Sequence, residues 1–470
     1  MLRAPLMDVF LSLHGLVVAI SVLVYVVTAH LLEQRRHPTA AIAWVLFMLL
    51  LPYVALPMFL AFGSRKQARP RSTHARSSAL PAPGATWVLQ TLHALGQPAP
   101  AAYRDLRLHA DGSEALAALL RCLGAAQQSI ELCTFILGRG PVGRQLIELL
   151  EAKARAGVRV RLLLDGMGSL MAGRPKLDAL RAAGAGVVLF VPPLHSPLKG
   201  RTNLRDHRKM VIVDAALESR WLWSGGRNLA SEYFEGTPGR PPWHDLSFDL
   251  GGPFVLQALA LFERDWAFAT TERAPQLMPQ QTGAADASLG APPHGAQLVA
   301  SGPDQEDDTV YALLLSASYQ ARRRIALVTP YFVPDAALLM ALCLAARRGV
   351  VVDLLLPARS NHPLSDIARG RALRQLAHAG ARIWLAPQML HAKLAVVDEQ
   401  LALAGSANFD SRSLFLNYEM MVAFHEAQDV LRFGAWFDRE RASARAYVAQ
   451  KPGLARDLAE GMVLWVGFQL

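Results

Sequence analysis

The feature that most constrains this 470-residue chain is a motif that occurs twice, each time at the end of the same succession of elements. The first copy is His207, Lys209 and Asp214 in NLRDHRKMVIVD, and the second is His391, Lys393 and Asp398 in MLHAKLAVVD. Before the first copy run SIELCTFILG, a helical stretch, ARAGVRVRLLLD and AAGAGVVLFVPP. Before the second run RIALVTPYFVP, a helical stretch, AARRGVVVDLLLP and HAGARIWLAP. Each half therefore reads strand, helix, strand, helix, strand, and such internal repetition governs the fold. The strands are short, apolar and rich in β-branched residues, as expected where helices cover both faces of a sheet. The fold class is α/β, with two repeated α/β/α sandwich lobes.

The apolar residues after each Lys mark a strand, and residues two apart on a strand share a face, so His and Lys should project together. Each motif is followed by a small-residue turn: Gly225, Gly226 and Asn228, then Gly405, Ser406 and Asn408. Such turns permit close backbone approach to a phosphate and supply uncharged hydrogen-bonding groups. Glu232 follows His207 by 25 residues and Glu419 follows His391 by 28. A carboxylate there would accept the second imidazole N–H and fix the tautomer. Asp214 and Asp398 complete the motifs, either as participants or as strand-end residues.

Two apolar runs, residues 9–32 and 40–62, are each long enough for a bilayer core that needs ~20 residues. The first exceeds the apolar length of a signal peptide, and a second follows at once, so a retained two-helix transmembrane hairpin is expected. Arg35 and Arg36 lie in its turn, whereas Arg3, Arg65, Lys66, Arg69, Arg71 and Arg76 lie at its outer ends. The positive-inside rule then puts everything after residue 62 in the cytoplasm. Pro52 and Pro57 fall within the second run as tolerated kinks. The expected domains are the hairpin (1–64), a basic linker (65–100), the first lobe (101–273), a linker (274–297), the second lobe (298–450) and a C-terminal tail (451–470).

A formal charge of +10 favours anionic partners, lipid headgroups or nucleic acid, and the hairpin confines the basic body near lipid. Cys122, Cys133 and Cys343 show no metal spacing and suit packing in a reducing compartment. Asp304, Glu306, Asp307 and Asp308 read as a solvated helix start rather than a metal site. The apolar tail 461–470 suits core packing or membrane contact equally.

The paired motifs resemble those of the phospholipase D superfamily. NLRDHRKMVIVD, GGRNLASEY, TPYFVPD, LHAKLAVVD and GSANFDSRSLFLNYE are similar in detail to bacterial cardiolipin synthases, as are RRHPTAAIAWVLFMLLLP and SGPD at 301–304. The likeness covers most of the chain. A family position reading Trp-Arg-Asp is here Trp243, His244 and Asp245, a departure at His244. The resemblance implies phosphodiester exchange through a phosphohistidine, with His207 as nucleophile and His391 as acid and base, and no cofactor or metal. Lys209, Lys393, Asn228, Asn408 and Ser406 would balance phosphoryl charge, Glu232 and Glu419 would orient the imidazoles, and Arg412 would contact phosphate or an internal carboxylate. It implies phosphatidylglycerol as donor and acceptor, giving cardiolipin and glycerol, at the bacterial inner membrane. A hydrolase or a transphosphatidylase with another acceptor would use the same motifs. A nuclease is disfavoured by the two apolar runs, so no nucleic-acid partner is expected, and the sequence leaves the oligomeric state open.

Overall fold

The computed structural model describes residues 4–31, 38–62, 86–192, 203–271, 295–305 and 307–466. Within these, the two halves build two mixed sheets with the same strand order. In the first lobe the order is Arg104–His109, Ser247–Gly251, Trp221–Gly225, Met210–Val213, Ser129–Thr134, Arg159–Leu164 and Gly186–Leu189. In the second it is Gly295–Ser301, Glu419–Phe424, Leu401–Gly405, Leu394–Val397, Arg324–Val328, Val351–Pro357 and Arg382–Ala386. The strands that the sequence pattern marks as strand-helix-strand units pair in parallel, Ser129 opposite Arg159 and Arg324 opposite Val351. The motif strands run antiparallel to their neighbours, because short turns rather than helices lead out of them.

Local chemistry starts the helices. Asp111 caps Gly112–Ala125 by accepting from Ser113 and Glu114 N–H, and Asp335 caps Ala336–Arg347 by accepting from Leu338 N–H. Each lobe has its own outer core, and a third core lies between the lobes. The shared core is built by helices Val255–Thr270 and Ala427–Ala442 with the inner sheet faces: Phe248, Phe254 and Phe262 from one side, Met420, Phe424, Phe433 and Trp436 from the other. Continuous apolar packing of this kind fixes the lobes as one unit and sets the register of what each presents to the other.

Three expectations need correction. The segment expected as linker 65–100 contains a helix, Trp87–Ala94, whose Val88 and Leu92 are buried in the second lobe's outer core. Ala101–Ala102, expected to open the first lobe, pairs antiparallel with Gly295 and Ala296 at the edge of the second lobe's sheet. The tail beyond residue 450 contains another helix, Leu454–Val466, docked on the second lobe.

The apolar runs ahead of the lobes are also helical. The first forms the helix Ala4–Leu31, of 28 residues. The second is divided at Leu51 into helices Pro38–Leu50 and Pro52–Phe62, of 13 and 11 residues. Pro52 has no N–H to donate, but Leu51 N–H donates to Phe47 O (2.8 Å) and Ala55 N–H to Leu51 O (2.8 Å), so helical bonding resumes across the kink. Among the described residues, no helix is long and apolar enough to cross a membrane. The three helices pack on one another through Tyr25, Met48, Ala55 and Phe59. Their other faces leave Leu16, Ile20, Leu23, Val26, Ile42, Leu46 and Val54 exposed.

Candidate active site

His207 and Lys209 stand on the extended segment that leads into strand Met210–Val213, and His391 and Lys393 on the one leading into Leu394–Val397, not within the strands themselves. Backbone bonds across the lobe boundary hold both segments. His207 N–H donates to Tyr418 O (2.9 Å) and Tyr418 N–H to Arg205 O (2.9 Å). Symmetrically, His391 N–H donates to His244 O (2.6 Å) and His244 N–H to Met389 O (2.8 Å). Each motif thus lies beside the start of a strand in the opposite lobe, and each of those strands is entered through a carboxylate.

Those carboxylates take the imidazoles. His207 Nδ1 is 3.1 Å from Glu419 Oε1, and His391 Nδ1 is 2.8 Å from Asp245 Oδ2. In both pairs Nδ1–H donates, which leaves Nε2 of His207 for chemistry, while Nε2 of His391 lies 3.0 Å from Lys393 Nζ. Glu419 therefore orients an imidazole as expected, but that of the other lobe. Glu232 does not take the corresponding place: it lies in the turn Ser231–Tyr233, and its carboxylate is not bonded to either His. Asp245 takes that place, and the sequence reading missed it. The signal was present, since Asp245 precedes an apolar strand just as Glu419 opens one, but a search by distance from the motif selects Glu232.

The small-residue turns serve these carboxylates. A Cβ on Gly226 would sit 2.2 Å from Asp245 Oδ1, so only glycine leaves room for it. At the equivalent position Ser406 Oγ donates to Glu419 Oε2 (2.5 Å) and accepts from Met420 N–H (2.9 Å). Ser406 is thus engaged with Glu419 rather than held for phosphate. Asn228 is likewise occupied, donating to Tyr233 OH (2.8 Å) and accepting from Ile136 N–H (3.3 Å). Asn408, in contrast, has a buried amide oxygen with no partner among the described residues.

Asp214 and Asp398 stand at the far ends of their four-residue strands, ~16 Å of extended chain beyond Lys209 and Lys393. Both adopt left-handed backbone conformations, φ 51° and 49°, which Asp tolerates. The Asp214 carboxylate accepts from the N–H groups of Gln127, Gln128 and Ser129, and that of Asp398 from Arg322, Arg323 and Arg324. Their place among catalytic residues is corrected: they tie the end of the motif strand to the start of its neighbour.

The two ammonium groups belong to the site. Lys209 Nζ donates to His207 O (2.6 Å), and Lys393 Nζ lies 2.8 and 3.0 Å from the ring nitrogens of His391. Burial disfavours their charged forms and lowers Lys209 to about 8 and Lys393 to about 7. Burial, with Lys393 beside it, lowers His391 to about 3, and burial also lowers His207. Burial alone would raise the two carboxylates, but His391 beside Asp245 and His207 beside Glu419 outweigh it and leave both below their ordinary values. The imidazoles differ in access. The His207 side chain is 12% exposed and meets Phe135 edge-on, whereas His391 is 4% exposed and lies against Tyr233 and Trp243.

Between His207 and Lys209 stands Arg208, fully buried and bonded to both lobes. Its guanidinium donates to Asp265, Ser301 O (3.3 Å) and Glu419 O (3.1 Å), reaches Asp304 (3.5 Å), and lies over the Tyr418 ring. Asp304 therefore belongs to a buried network rather than to a solvated helix start. Arg412 donates to Asn203 O and Oδ1 (both 3.2 Å). Among the described residues, no group of three or more His, Cys, Asp and Glu is placed to hold a metal ion.

Comparison with known families agrees with this geometry. The family described as "Cardiolipin synthase, PLD-like domain" matches residues 119–266 and 314–441, one segment per lobe and each with one motif. The chain belongs to the cardiolipin synthase family of phospholipase D-like proteins. A second family, "Phospholipase_D-nuclease N-terminal", matches residues 17–64, the helical region ahead of the lobes. Among curated relatives, cardiolipin synthase A of Pseudomonas aeruginosa is 32% identical over 444 residues, 89% of this chain and 87% of that protein. Cardiolipin synthase A of Pseudomonas putida is 30% identical over 83% of this chain and 84% of that protein. Phosphatidylserine synthase of Haemophilus influenzae shares the fold, with a TM-score of 0.61 at 12% identity, over 82% of this chain and all of that one.

Proposed function

We propose that this member of the cardiolipin synthase family transfers a phosphatidyl group from one phosphatidylglycerol to a hydroxyl of a second, releasing glycerol. The observation that carries the reading is the pair of imidazoles, each held through Nδ1 by a carboxylate of the opposite lobe. In the first step His207 Nε2 attacks the donor phosphorus. The phosphorus–oxygen bond to glycerol breaks, and His391 Nε2–H gives the departing oxygen its proton. In the second step the acceptor hydroxyl loses its proton to His391 and attacks phosphorus, and the phosphorus–nitrogen bond to His207 breaks.

The difference in access supports this division of labour. A nucleophile must reach a lipid phosphorus, which the more open His207 does, while the enclosed His391 suits proton transfer away from water. Burial and Lys393 hold His391 near 3, so the imidazolium needs a compensating anion. A phosphodiester beside both ammonium groups supplies it and raises His391 toward the range of a working acid. Lys209 and Lys393 then balance the charge that grows on the phosphoryl oxygens in the transition state.

The exposed apolar faces of the three helices preceding the lobes support a membrane anchor, and the basic residues beyond residue 62 support lobes on the cytoplasmic side of a bacterial inner membrane. The test is to incubate the detergent-solubilised protein with labelled phosphatidylglycerol alone, beside His207→Ala and His391→Ala, and to resolve the products. Cardiolipin and glycerol from the wild type, lost in both variants, is the expected result. Phosphatidic acid in place of cardiolipin would make the protein a hydrolase.

A further inference from the structure

The helix Leu454–Val466 plays no part in the site, and it is docked with its acidic side inward. It crosses helix Pro363–His378, where Arg371 donates to Asp457 (3.0 Å) and Arg374 to Glu460 (2.6 Å). Arg456 adds a bond to Glu460 (3.2 Å), whose side chain is fully buried. The crossing is close: a Cβ on Gly370 would lie 2.3 Å from Glu460 Oε1. With the carboxylates turned toward the protein, the opposite side faces outward. Leu454, Leu458 and Met462, at i, i+4 and i+8, are 77%, 57% and 65% exposed. Single exposed apolar residues are ordinary, but three in one row, held outward by the buried Glu460–Arg374 pair, mark a contact surface.

We propose that this row lies in the headgroup region of an anionic bilayer and sets the second lobe against the surface that supplies its substrate. The proposal rests on the phosphatidyl-transfer reading for the presence of that surface. Exposed basic groups on the same helix and its neighbour fit it: Arg456 and Arg371 are 69% and 45% exposed, Lys451 lies just ahead in sequence, and long basic side chains reach headgroup phosphates. A second copy of the chain is a poorer occupant, since three side chains fall well short of the ~800 Å² per partner that a stable interface buries.

The test uses the full chain reconstituted in vesicles of phosphatidylethanolamine and phosphatidylglycerol. Cys122, Cys133 and Cys343 are buried, so a cysteine introduced by Leu458→Cys takes a fluorophore selectively. Glu218→Cys, on the first lobe, serves as an exposed control. The label at position 458 should be quenched by nitroxide lipids and shielded from aqueous iodide, and the control should behave in the opposite way. Introducing Leu458→Glu and Met462→Glu together should lower turnover of vesicle lipid about tenfold while leaving turnover in detergent micelles unchanged. A label at 458 reached by iodide as readily as the control overturns the proposal, as does a label shielded from both quenchers or a double variant with wild-type turnover in vesicles. Failure of the transfer reading itself would show separately, as no phosphatidyl transfer by the wild type in micelles.

Discussion

Asp245, in the first lobe, accepts a hydrogen bond from His391, in the second, while Glu419 returns the relationship to His207. Neither motif histidine takes its carboxylate from its own lobe. The packing between the lobes, through Phe248, Phe262, Phe424 and Trp436, is therefore a condition of catalysis as well as of stability. The cross-lobe backbone bonds at His207 and His391 place each carboxylate within reach of its imidazole.

Asp245→Asn should lower kcat for phosphatidyl transfer by about two to four orders of magnitude, because an amide in that place no longer stabilises the imidazolium or selects its tautomer. Glu232→Gln should stay within about twofold of wild type, since the imidazoles bond Glu419 and Asp245 instead. Steady-state kinetics of the two purified variants check the assignment. Gly226→Ala should resemble Asp245→Asn, because the added Cβ would meet the carboxylate.

The contrast between Glu232 and Asp245 also shows how far the sequence could be read. Repetition, strand order and the motif residues were legible because they recur locally in both halves. The exchange of carboxylates was not, because its partners lie 146 and 212 residues apart and no local pattern records which lobe a side chain faces. Helix Trp87–Ala94 escaped notice because it follows a Pro- and Ser-rich stretch, although its Val88 and Leu92 complete a core begun more than 200 residues later. The break at Leu51 falls at Pro52, which the sequence marks as a kink because it lacks an N–H.

Asp214→Ala should affect stability far more than chemistry. Its carboxylate accepts from three backbone N–H groups, and losing charge-assisted bonds at a buried turn should cost about 2–4 kcal/mol. Urea unfolding should show a lower midpoint, while kcat of the folded fraction stays within a few-fold of wild type. Asp398→Ala should behave alike, since its carboxylate makes the same three bonds in the second lobe.

The pH dependence of kcat/KM should be bell-shaped. His207 must be neutral to attack, and burial lowers it, so the acid limb should fall below the ordinary histidine value of ~6.5. Lys209 and Lys393 must be cationic to balance phosphoryl charge, so activity should decline as pH rises through about 7 and about 8. Initial rates between pH 5 and 9 test both limbs, and Lys209→Arg should extend the basic limb upward if that group sets it.

Arg208→Met should expose the cost of the buried charges that this guanidinium holds. Arg208 is fully buried against Asp265, Asp304 and the Glu419 carbonyl, so its removal strands carboxylates in the core and should destabilise the protein by about 3–5 kcal/mol. The loss should depend on pH with a definite sign. Burial raises Asp265 to about 6 even with Arg208 present, and removing that cation raises it further. A carboxyl group whose folded value lies above its unfolded one binds its proton more tightly when folded, so stability falls as pH rises between the two values. Urea midpoints should therefore differ from wild type more at pH 8 than at pH 5. Because Arg208 also fixes the backbone that carries Glu419, the folded fraction should lose transfer activity as well. Pairing Arg208→Met with Asp265→Leu should recover much of the stability without the activity, which separates the role of Arg208 in the core from its role in holding Glu419 against His207.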